Sequence, residues 1–238
     1  MQREEQTVQG HSGWFVPLAV FVVTAILSAI LLLYYLGPRP RALIEEHASP
    51  TTSTVAVSLT VGGVNFSIPA NYIRYKGARK GGVLSQASLY AVLPDFRGYS
   101  DSAAQEFLSN AADSPVVEIL LHDEPMKLGE TERLTRIYLG YVSNPKGRPG
   151  LFGLTAYDFR DDTGYRDEDL FVGHLGARLV MLRCDRLGAR NTSPSCARDT
   201  RLARHAGLTY RFKRAQLSRW REIATGVDSL MHSFMRGG

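Results

Sequence analysis

The side chains able to do chemistry in this chain fall into three local groups. The densest is the segment RDDTGYRDEDL at 160–170, which carries Asp161, Asp162, Asp167, Glu168 and Asp169. Clustered carboxylates of this kind could hold a hard cation such as Ca2+. Their spacing is not that of an EF-hand loop, and Arg160 and Arg166 sit among them. A solvated loop with balanced charge is the simpler reading, and no metal site is expected. The second group is His122, Asp123 and Glu124, at the end of VVEILLH. An imidazole beside carboxylates suits acid–base chemistry. In a strand, however, only His122 and Glu124 share a face, and a plain strand end accounts for them.

The third group is the cysteine pair, Cys184 and Cys196, which bounds CDRLGARNTSPSC. Gly188, Asn191, Ser193 and Pro194 favour turns and allow the ends to meet. A disulfide closing such a loop stabilises the fold by about 3 kcal/mol and requires an oxidising compartment. Two free thiols are the alternative. A zinc site would need two further ligands. His174 and His205 are near in sequence, but no C-x-x-C or H-x-x-x-H spacing accompanies them.

Other catalytic signatures are missing. The sequence has no G-x-S-x-G nucleophile turn, no Walker A loop, no dinucleotide fingerprint in GVNFSIP or YKGARKGG, and no H-E-x-x-H. No catalytic residue and no cofactor are implied. Lys and Arg number 28 against 23 Asp and Glu, a net charge of +5. The basic residues concentrate at 76–80, 198–204 and 211–221 but are interleaved with acids. A nucleic-acid partner is therefore not expected, and attraction to anionic lipid is the milder alternative.

The element that must position everything else is apolar. WFVPLAVFVVTAILSAILLLYYL, residues 14–36, contains no charge. A bilayer core of about 30 Å needs about 20 helical residues, and this run supplies them. Trp14 begins it, and Tyr34 and Tyr35 close it, placing aromatic rings at both headgroup levels as membrane anchors. Pro17 falls in the first turn, where its missing N–H costs little. Gly37, Pro38 and Pro40 stop the helix. The run is too long for a cleavable signal peptide, and no small-residue cleavage pattern follows it. The flanking arginines, Arg3 before and Arg39 and Arg41 after, weakly favour the C-terminal side inside. The cysteines argue the opposite orientation. The reading adopted is a tail at 1–13, a transmembrane helix at 14–36, a linker at 37–54 and one extracytoplasmic domain at 55–238.

Within the domain, period-two patterning dominates. VAVSLTVGGVNFSIP reads as a hairpin turning at Gly62-Gly63. YKGARKGG reads as an exposed connection. Strands are expected at 88–96, 116–122, 133–142, 151–159, 170–174, 177–184 and 207–213. A helix is expected at 101–112, capped by Ser100 or Asp101. A second, capped by Ser218, buries Leu217, Trp220, Ile223, Val227, Leu230, Met231 and Phe234. Its outer arginines, Arg214, Arg219 and Arg221, could meet a partner or lipid. The fold class is α+β, a mainly antiparallel sheet with covering helices.

NFSIPANYIRY, LYAVLPDFRGYS, the turn-flanked cysteines and the closing YRFKRAQLSRWREIATGVDSLMHSF resemble uncharacterised single-pass envelope proteins of alphaproteobacteria. The two ends of the domain are also similar to Mog1/PsbP-type domains, which pair an opening strand leading to a proline with a closing helix ending in Ser-Phe, here Ser233-Phe234. The resemblance implies a fold and no activity. The functional expectation is a non-enzymatic, membrane-anchored module. It would present a periplasmic domain on the bacterial inner membrane, N-terminus cytoplasmic, to an envelope protein complex. A small-ligand or lipid-binding domain and an enzyme of unrecognised type are the alternatives.

Overall fold

The structure is a computed structural model describing residues 14–35, 48–124, 127–188 and 191–235. The tail at 1–13, Leu36 with the helix-stop residues, and the start of the linker lie outside the described residues. The chain divides into two compact units, Met1–Glu46 and His47–Gly238.

The first unit contains helix α1, Phe15–Tyr35. Its side chains from Val16 to Tyr34 are exposed, and Phe15–Tyr34 is long and apolar enough to cross a membrane. The Thr24 hydroxyl within it donates to the Val20 carbonyl at 2.8 Å, so this polar group is satisfied inside the helix.

The second unit opens with β1 (Ala56–Val61) and β2 (Val64–Pro69), paired across Gly62-Gly63 as the sequence pattern requires. β3 (Gly82–Leu84) adds in parallel to β1. This small strand starts at the last glycine of the segment read as an exposed connection and extends beyond it. The large sheet is built from β4 (Gln86–Val92), β5 (Val116–His122), β6 (Arg148–Pro149), β7 (Thr155–Asp158), β8 (Glu168–Leu175), β9 (Arg178–Asp185), β10 (Ser195–Ala203) and β11 (Ala206–Lys213). Its eight strands run in the order β4-β5-β11-β10-β9-β8-β7-β6, antiparallel throughout.

Alternation on β9 sorts the core into two faces. Val180, Leu182 and Cys184 join a cluster with the small sheet and the final helix α4, Trp220–Phe234. Met181, one residue out of phase, faces the opposite side with Leu134, Tyr138, Val142 and Phe159. α4 buries Trp220, Ile223, Ala224, Val227, Met231 and Phe234. Fully burying each large side chain contributes about 1.5–3 kcal/mol, so this helix locks one face of the sheet.

Several expected elements differ. The segment 133–142 is not a strand. It forms α3, Glu130–Arg136, and a 3-10 turn at Tyr138–Gly140. Leu134, Tyr138 and Val142 recur every four residues, and the Glu132 carboxylate accepts the Gly129 N–H at 3.2 Å, capping the helix start. The helix at 101–112 shrinks to a 3-10 turn and α2, Ala104–Leu108, because the Ser109 hydroxyl takes the Ala111 N–H into a local turn. Neither Ser100 nor Asp101 caps it, and Ser218 lies inside a 3-10 turn ahead of α4 rather than capping it. Only 155–158 of the 151–159 segment is strand, preceded by a 3-10 turn at Leu151–Gly153. β10 has no counterpart in the sequence reading.

Candidate functional site

Inside the large sheet, away from its short edge strand β6, the β9–β10 seam is the narrowest join. The two strands pair only where Cys196 faces Cys184 and Ala197 faces Arg183. The cysteines, directly opposite one another, are disulfide-bonded and buried. Arg183 reinforces the seam, bridging Glu168 of β8 at 3.2 Å and Asp199 of β10 at 3.3 Å.

Beyond these contacts the strands part, and α3 fills the fork. Glu130 inserts its carboxylate there. Oε1 accepts the Met181 N–H of β9 at 3.1 Å, and Oε2 accepts the Thr200 hydroxyl of β10 at 3.3 Å. Arg198 closes on the same carboxylate in a two-pronged pair, Nε to Oε1 at 2.9 Å and Nη2 to Oε2 at 2.7 Å. Burial works against the Arg198 charge, but the Glu130 hydrogen bonds and the nearby Tyr210 outweigh it and hold the guanidinium pKa above its usual value. Burial also pushes the Tyr210 phenol up to about 12, with Arg198 pulling the other way. From the same helix, Arg133 donates to the Asp199 carbonyl. This cluster is a structural joint: Glu130 and Arg198 satisfy each other, while Arg133 is held by a backbone carbonyl.

The acidic segment is likewise satisfied by arginines. Asp162 pairs with Arg160 and Asp167 with Arg166, as the sequence suggests, but arginines just past the ends of β9 and β11 do more. Arg186 reaches Asp161 and Asp169, and Arg214 meets Asp169 at 2.7 Å. Glu168 and Asp169 begin β8 rather than lying in a loop. Among the described residues no group of three or more His, Cys, Asp or Glu side chains is arranged to hold a metal ion.

His122 lies on β5 opposite Gly207, and its ring occupies the space a side chain at 207 would need. Its Nε2 is 3.4 Å from the Thr209 hydroxyl, which donates to Asp199 at 2.8 Å. His174 sits exposed on β8, and His205 exposed between β10 and β11. β5 and β8 are four strand spacings apart, roughly 19 Å, so His122 and His174 do not converge on one substrate. A shallow groove of about 280 Å³ opens between β5, β11 and the segment after α2, lined by Glu118, Arg211, Lys213 and Asp185. It is polar, unlike the enclosed apolar pockets that hold small ligands.

A preformed apolar projection stands on the surface just before β7. In the turn Leu151–Gly153, Phe152 adopts φ 58° and ψ 28°, left-handed for a residue with a bulky side chain. Two groups from α4 pin its carbonyl: Trp220 Nε1 at 3.1 Å and Arg221 Nη1 at 2.9 Å. Leu151 and Phe152 remain 71% and 44% exposed. The signal legible in sequence is P-G-L-F-G, two apolar residues held between turn formers.

The fold and these surfaces define an α+β domain with a disulfide-tied sheet, in a chain bearing one membrane-length apolar helix. It is similar to a solved structure of Smlt3025, an immunity protein of the Stenotrophomonas maltophilia type IV secretion system. Identity is 15% and the TM-score 0.54, over 78% of this chain and 95% of that one. At that identity the likeness is one of fold. No protein-family model matches the chain, and no curated protein matches it in sequence.

Proposed function

We propose that this chain is a membrane-tethered, non-enzymatic binding protein of the immunity type. Its N-terminal tail lies in the cytoplasm and α1 crosses the inner membrane. The disulfide-bonded domain stands in the periplasm, where it captures a protein partner that would otherwise harm the cell. The observation that carries this reading is the fold likeness extending over nearly all of the immunity protein Smlt3025. The buried Cys184–Cys196 bond supports it, because such bonds persist outside the cytoplasm. Kinship with single-pass envelope proteins of alphaproteobacteria belongs to the same reading.

Two measurements test it. A C-terminal alkaline phosphatase fusion is active if the domain is periplasmic. A deletion strain grown in contact with its parent is outcompeted and is rescued by the gene in trans. An inactive fusion, or equal growth of the two strains with no envelope partner recovered by crosslinking, would sink the proposal.

A further inference from the structure

Two phenylalanines in this domain hold left-handed backbone, and only one is rewarded for it inside the fold. Phe96, at φ 53°, is 8% exposed, and its ring occupies the space beside Gly226 on α4. Core packing explains that conformation. Phe152 has the same backbone cost, yet its ring stands half in solvent beside the still more exposed Leu151. Left-handed backbone at a bulky residue persists only where the surroundings enforce it, and such sites cluster where function needs a fixed geometry. Here the enforcement is explicit, since Trp220 and Arg221 both donate to the Phe152 carbonyl.

Arg221 adds the charge. Its guanidinium lies over the Trp220 ring at 4.5 Å and is exposed at its rim. The neighbouring carboxylate, Glu222, is already taken by Arg219 at 2.7 Å. Among the described residues Arg221 meets no carboxylate.

Resting on the function proposed above, we infer that the Leu151–Phe152 turn and Arg221 form the docking point for the protein partner. The partner would present an apolar socket edged by a carboxylate. Aromatic residues, phenylalanine among them, and arginine are enriched at protein interfaces. A bilayer fits less well, because one unpaired cation strengthens attachment to an anionic membrane only about fivefold.

The test uses the full-length chain in its own cells, with a photoreactive benzoylphenylalanine placed singly at Leu151, Leu108 or Val55, all exposed. The expected result is one envelope polypeptide crosslinked at Leu151 and little at the others. With that purified polypeptide, Phe152→Gly should weaken binding about thirty-fold while leaving the melting temperature unchanged, since glycine tolerates the same backbone. Arg221→Glu should weaken binding and be rescued by reversing a carboxylate on the partner. Crosslinks at Leu108 or Val55 but not Leu151, or full affinity in Phe152→Gly, overturn this surface and leave the protein-partner reading standing. No crosslink anywhere overturns both. In proteoliposomes of phosphatidylethanolamine and phosphatidylglycerol, a Leu151→Cys spin label that becomes lipid-buried would assign the turn to the bilayer instead, also overturning it.

Discussion

Glu130 and Arg198 meet in a two-pronged pair at 2.9 and 2.7 Å, with the arginine side chain wholly buried. The carboxylate also takes a backbone N–H that the parting of β9 and β10 leaves open. Removing one member of a buried pair strands the other, at a cost of about 3–5 kcal/mol. Glu130→Ala should therefore destabilise the domain by about that amount in urea unfolding. Changing both, Glu130→Leu with Arg198→Met, should cost less than the single change. A double variant worse than Glu130→Ala would contradict the account.

The disulfide acts at the same seam. Cys184→Ser with Cys196→Ser should lower stability by about 3 kcal/mol. Hydrogen exchange should locate the loss, with amides of β8 and β9 opening while β4, β5 and β11 stay protected. Equal acceleration in all strands would show that the seam is not a weak point.

Tyr210 sets an alkaline limit. Its folded pKa, about 12, lies above the ordinary 10. The folded state thus holds this proton more tightly, and the associated stability is complete below pH 10. It is lost as pH rises toward 12, by on the order of 2 kcal/mol. Tyr210→Phe should flatten the stability profile between those values in pH-dependent urea titrations; a profile as steep as the parent's would exclude Tyr210 as its source.

Gly173 on β8 leaves room for the indole of Trp220. A methyl there would lie 2.5 Å from the Trp220 ring and 2.8 Å from Leu154. Gly173→Ala should cost about 1–3 kcal/mol through overpacking. Gly164→Ala, with open space at its Cβ, is the control expected to leave the melting temperature unchanged.

What the sequence disclosed follows from how each element is stabilised. The apolar helix, the Gly62-Gly63 hairpin and the buried face of α4 are written in side-chain periodicity and were legible. α3 was misread as a strand because RLTRIYLGYV alternates as well as it repeats. The deciding signals were Gly129 with Glu132 at the helix start and Leu134 with Tyr138 one turn apart. β10 was missed for a different reason. Its inward position 198 is an arginine, buried only because Glu130 arrives from a distant segment. No local pattern reveals a charge whose partner is far along the chain. The exposed Leu151–Phe152 turn is signalled locally only by P-G-L-F-G; the pinning of its carbonyl by Trp220 and Arg221 leaves no trace in the residues around it.

The strand order carries a temporal consequence. β11, the last of these strands in the chain, lies between β5 and β10, so the β4–β5 pair and the β6–β10 block wait for it to join them. A polypeptide emerging from its amino end therefore carries two sheet fragments with bare margins until β11 arrives to stitch them together. Closure of this sheet is therefore a late event, and a chain cut before Ala206 is left as an open, adhesive intermediate rather than a smaller working domain.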